Sequence, residues 1–159
     1  MPLKLKTREI PLVKFRRLFP ELLGPGGECF FEVEARAGGP VNIAFTAGTD
    51  RLTLAARVKD RGYRNEADDT AYIAAQDVAV REIIRERFGM LFDTCVIEWR
   101  CNIVDADTGK PIICDRATFI ALLEVDAWPE ITNAMIEVET AILKAGLAVM
   151  EEDAATLKN

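Results

Sequence analysis

The stretch from Cys95 to Glu124 constrains the fold more than any other part of the chain. Its first part alternates: Cys95, Ile97, Trp99, Cys101 and Ile103 fall on one side of an extended backbone, and Val96, Glu98, Arg100 and Asn102 on the other. A period of two marks a half-buried strand. Asp105-Ala106-Asp107-Thr108-Gly109 supplies turn residues, with Gly109 free to take positive φ and Pro111 barring an early helix. Ile112-Ile113-Cys114 returns as a short second strand, and Asp115 suits the N-cap of a helix carrying Phe119, Leu122 and Leu123. This is strand, tight turn, strand and helix, and it names no chemistry.

Around that centre the pattern predicts one α+β domain over residues 1–159. A β-rich part (1–48) leads into a helical part with one strand-turn-strand insertion (49–148), and a frayed tail (149–159) ends it. Leu3 to Ile10 alternates as an edge strand with its lysines toward water, whereas Leu12 to Leu23 is apolar-basic without a clear period. Phe31, Val33 and Ala35 alternate, Gly38-Gly39-Pro40 turns the chain, and Val41, Ile43 and Phe45 alternate again, which reads as a β-hairpin. A short helix capped by Thr49 or Asp50 runs to Lys59, with Leu54, Ala55 and Val58 inward. A longer one runs from about Ala71 to Phe88, with Ile73, Val80, Ile83, Ile84 and Phe88 as its stripe and Gly89 as its stop. Pro129 opens the last helix, whose core side carries Ile131, Met135, Val138, Ile142 and Ala145. The expected core is Trp99 with Ile97, Ile103, Phe119, Leu122 and Ile131.

Several functions are disfavoured by what the chain lacks. It has no histidine and no serine, so nucleophile motifs built on them are missing, and no phosphate-binding GxxxxGK[ST] loop occurs. Asp105 and Asp107 resemble the start of a calcium loop, but its twelfth position is Arg116 rather than a bidentate glutamate. Glu98 with Asp93 or Asp105 offers an acid–base pair only if the fold brings them together. The four cysteines form no CxxC and read as buried thiols, with neither metal nor disulfide expected. A net charge of −6 argues against nucleic acid, and the short Lys14-Phe15-Arg16-Arg17 cluster reads as a solvated face. No apolar run approaches the ~20 residues that span a bilayer, and no signal peptide is evident, so a cytoplasmic, non-enzymatic protein without cofactor is expected.

What remains is binding. The last helix carries apolar residues beyond its core stripe, among them Ile136, Leu143, Leu147, Val149 and Met150. A helix apolar on all sides is either deeply buried or covered by a partner. Ile136, Leu143, Leu147 and Met150 are therefore the candidate partner-binding residues.

The pieces Trp99, then Asp107, Gly109 and Pro111, then Leu122 and Leu123, then Pro129, Ile131, Met135 and Ile136 follow one another in an order that resembles the tail assembly chaperones of long-tailed phages and prophages. The resemblance covers roughly Glu66 to Ala145, and none of its motifs is catalytic. It implies a homo-oligomeric chaperone that coats the long helical tape measure protein before the tail tube polymerises and is absent from the finished particle. Two other classes fit the composition: a structural subunit of the tail or head–tail junction, and a small cytoplasmic protein-binding module.

Overall fold

A computed structural model describes residues 9–24, 26–63, 69–124 and 129–158. It shows an α+β protein: a three-stranded antiparallel sheet in the order β1-β2-β3, with helices packed on one face. The elements are β1 (Leu12–Gly24), β2 (Gly27–Arg36), α1 (Ile43–Tyr63), α2 (Asp69–Thr94), β3 (Val96–Cys101), α3 (Arg116–Ala121) and α4 (Pro129–Thr156). A 3-10 turn, Leu122–Glu124, follows α3.

The hairpin exists, but β2 pairs with β1 rather than with Val41–Phe45. The misreading has a physical cause. In β1 the inner positions are Val13, Phe15, Arg17 and Phe19, and the outer ones include Leu18, so a charge and a leucine have changed sides. Arg17 lies over the ring of Phe19 (5.6 Å) and extends its guanidinium to Glu137 of α4 (2.6 Å), keeping its head in water while its stem covers the core edge. Once β1 and β3 occupy both edges of β2, Val41–Phe45 has no edge left, and this segment opens α1 instead. Leu3–Arg8, expected as part of a strand running to Ile10, lie outside the described residues; Glu9 and Ile10 precede β1 and belong to no strand.

Asn42 makes that opening work. Buried to 2% exposure, its Oδ1 accepts the Phe45 N–H (3.2 Å), capping α1. Its Nδ2 donates to the carbonyls of Ala37 and Thr94 (3.1 Å each), tying the start of α1 to the end of α2. Asn42→Ala removes a cap and leaves two carbonyls short of a donor, and is expected to cost about 2–3 kcal/mol in chemical denaturation. Asn42→Asp retains the cap acceptor but brings a carboxylate against those carbonyls, so it recovers little of the loss.

The opposite face of the sheet is a ladder of charges facing solvent. Lys14 stands opposite Glu34, and Arg16 opposite Glu32, which in turn faces Arg100 of β3. This is the solvated face expected for Lys14 and Arg16. Cross-strand opposite charges on an open face hold register at little energetic cost.

The inner face and the helices bury Phe19, Phe31, Val33, Phe88, Leu91, Trp99, Phe119, Ile131, Met135, Val138 and Ile142 in one cluster. Trp99 is 3% exposed, Phe119 and Ile131 are fully buried, Leu122 is buried and Ile103 packs against them, all as expected. Ile97 is the exception, at 49% exposure. Glu34 faces Glu98 while Ala35 faces Val96, so Ile97 is the extra residue of a β-bulge and is turned off the core face.

The turn after β3 forms as read. Gly109 has φ +65°, Asp105 Oδ1 accepts the N–H groups of Asp107 and Thr108, and Asp115 accepts the Thr118 N–H to cap α3. The return arm is less than a full strand: one bridge joins Val104 to Pro111, and Ile112 N–H donates to the Ile103 carbonyl (3.1 Å).

The helices are longer than their stop signals suggest. α1 covers Ile43–Tyr63, continuing through Gly62, with Leu54 and Val58 outward at 64% and 61% exposure. α2 runs through Gly89 to Thr94, because Phe88, Leu91 and Phe92 of its last turns insert into the core. Its earlier Ile73 and Val80 stand in solvent. α4 continues to Thr156, so most of the expected frayed tail is helical. Among the described residues, no helix is long and apolar enough to cross a membrane.

Candidate interaction surface

α4 has two apolar sides. Ile131, Ala134, Met135, Val138, Ile142, Gly146 and Val149 are buried, and the spacing of three and four residues explains why they share a face. Val149, counted from sequence among the surplus residues, belongs to this buried side at 8% exposure, and Ala145 is half-buried. The four remaining candidates do face out: Ile136 is 47% exposed, Leu143 38%, Leu147 57% and Met150 45%. Steps of seven, four and three place them along one stripe of the helix, a spacing close to the 3.5-residue seam of paired helices.

The stripe does not form one pocket. Leu143 lines a groove of about 370 Å³ between the helices, with Phe45, Leu52 and Ala56 of α1 and Ile83 and Met90 of α2. Arg87 and Glu139 also line it, joined by a two-pronged ion pair (2.9 and 3.1 Å) that leaves the groove walls mainly apolar. Met150 lines a separate depression with Ile10, Val41, Ile43 and Val149. Ile136 and Leu147 line neither.

Sequence reading missed the contribution of α1 and α2. Ile43 (81% exposed), Leu54 and Val58 on α1, and Ile73, Val78 and Val80 on α2, are outward as well. The sequence pattern assigns Leu54 and Val58 to the inward side of the first helix, Ile73 and Val80 to the stripe of the second, and Ile43 to a strand. Both helices thus carry exposed apolar residues, none of which lines the groove that Leu143 shares.

Each carboxylate considered for acid–base chemistry has its own partner. Arg100 grips Glu98 (2.9 and 3.0 Å), Arg116 grips Asp93 (2.6 and 2.8 Å), and Asp105 is held by the turn amides. The hydrogen bonds from these partners lower all three carboxyls from their ordinary values. A general acid needs the opposite shift.

The four cysteines are free thiols: Cys29 and Cys95 are buried, Cys101 is half-buried and Cys114 is exposed. Burial pushes the Cys95 thiol up. The expectation of four buried cysteines holds for Cys29 and Cys95, is met only in part at Cys101 and fails at Cys114, which is exposed on the return arm. No family model matches the chain, and neither does any curated protein or solved structure.

Proposed function

We propose that the protein is a non-enzymatic assembly chaperone for a long amphipathic helical client, of the kind a phage or prophage tape measure protein presents. The observation that supports this most is the row of exposed apolar residues on α4 beside the apolar groove shared with α1 and α2. A helix laid in such a groove buries its apolar face by the same spacing that builds α4. The acidic, charged remainder of the surface keeps the chaperone dissolved while the client is held. The order of motifs from Trp99 to Ile136 supports the phage assignment. In this reading the protein acts in the host cytoplasm, as an oligomer whose copies together line the client, and leaves before the tail is complete.

Leu143→Asp with Leu147→Asp tests the surface. Both side chains are partly in solvent, so the double variant should fold, with unchanged circular dichroism, yet lose solubilisation of a co-expressed tape measure protein. A monomeric variant that still solubilises the client would reassign the stripe to self-association. Wild-type protein retained in stoichiometric amounts in completed tails would replace the chaperone reading with that of a structural subunit.

A further inference from the structure

Cys101 ends β3, and Cys114 stands just before α3, thirteen positions later in the chain, yet their Sγ atoms lie 3.9 Å apart. Two restraints produce this approach. The Val104–Pro111 bridge and the Ile112–Ile103 hydrogen bond fold the return arm back along the end of β3. The indole N–H of Trp99 then donates to the carbonyl of Asp115 (3.1 Å), fixing the residue after Cys114 against the strand that carries Cys101. Cys101 packs half-buried against the margin of the core cluster, whereas Cys114 is exposed.

We propose that Cys101 and Cys114 are a reversible dithiol site, closed to an intramolecular disulfide by exchange with a low-molecular-weight disulfide of the glutathione type. The exposed Cys114 reacts first. Its thiolate attacks one sulfur of the small disulfide, releasing one thiolate and leaving a mixed disulfide on Cys114. Cys101, after losing its proton, attacks Cys114 Sγ and expels the second small thiol. Two protein thiols become one disulfide, and one small disulfide becomes two thiols, so electrons and protons balance. The sulfurs must approach from 3.9 Å to about 2.05 Å. Cys114 lies in a segment that is neither strand nor helix, where side-chain rotation and a small shift of the arm supply that distance. Burial pushes the Cys101 thiol up to about 12, which makes the second step the slow one at neutral pH. The closed form fastens the approach to α3 to the sheet at a second point, beside the Trp99 hydrogen bond.

The test is incubation of the full chain with glutathione disulfide in excess over glutathione, acid quenching, and alkylation. The expected product has lost two hydrogens and carries no adduct, and dithiothreitol reverses it. Cleavage after Arg100 and before Asp105 and Asp107 separates Cys101 from both Cys95 and Cys114, so the linked peptides identify the pair. Closure should accelerate about tenfold per pH unit between pH 7 and pH 9, as the thiolate fraction of Cys101 rises. Cys101→Ser should instead accumulate a glutathione adduct on Cys114, and Cys114→Ser should yield no disulfide. A stable adduct on wild-type Cys114, a link to Cys29 or Cys95, or a disulfide between two copies would each overturn the proposal. The wild-type mapping decides the matter even if a serine variant folds poorly, and it is independent of any client.

Discussion

Truncating Trp99 to Ala is expected to cost about 3–5 kcal/mol in chemical denaturation, a large share of the ~5–15 kcal/mol that holds a typical domain together. Its ring lies 5.9 Å from that of Phe31 and 5.5 Å from that of Phe119, and Phe119 in turn meets Phe92 at 5.2 Å. Strand, α3 and the last turns of α2 therefore share one aromatic contact. Removing the indole opens a cavity that these rings cannot all collapse into, because each is fixed on a different element. It also removes the indole N–H from the Asp115 carbonyl, which is left with the Phe119 N–H (3.0 Å) as its donor. Trp99→Phe separates the two effects: it keeps most of the volume and loses the hydrogen bond, and should cost about 1–2 kcal/mol. A loss below about 1 kcal/mol for the Ala variant would show that the aromatic contact does not carry the fold.

Gly146→Ala should be the second severe substitution, at about 3 kcal/mol. On paper alanine is the better helix residue, by ~1 kcal/mol. Here a Cβ on residue 146 would come within 1.9 Å of the Gly38 carbonyl oxygen and 2.8 Å of its carbon. These are backbone atoms, which cannot rotate away as a side-chain tip would. The α4 axis must shift from the loop after β2, and that shift strains the hydrogen bond from Gly38 N–H to the Ile142 carbonyl (3.0 Å). The displacement also lifts Ile142 and Val149 from the core, which brings the cost to the upper end of overpacking. Stability equal to or above wild type would mean that α4 does not approach this loop so closely.

These two residues also mark what the letters can and cannot convey. Trp99 was legible because its neighbours alternate and a turn and a cap follow at fixed offsets. By its letter alone Gly146 is only a weak point of its helix, since a close backbone approach leaves no local trace. The same holds at Ile97, where an alternating sequence is interrupted by a bulge that depends on the pairing with β2. Arg17 concealed β1 because its partner, Glu137, lies in a helix distant along the chain. On the candidate surface, Ile136, Leu143, Leu147 and Met150 were identifiable as surplus to one stripe. The share of α1 and α2 in the groove was not, because nothing local told which side of either helix would meet α4. The pairing of Cys101 with Cys114 required the return arm to be in place.

The α1–α2 excursion leaves the sheet after Arg36 and comes back to it at Cys95, where the Arg36 N–H donates to the Cys95 carbonyl (2.8 Å). Departure and return are thus neighbours, and Asn42 laces the same point from within. An arm rooted this way places no demand on its own length. The sheet requires only the last turns of α2, while the 26 residues of that helix extend for about 39 Å. Whole turns inserted into or removed from both helices together would alter the reach of the arm and leave the register of β2 and β3 untouched. The reach of the arm is in that sense an adjustable dimension of the molecule, separable from the part that makes it fold.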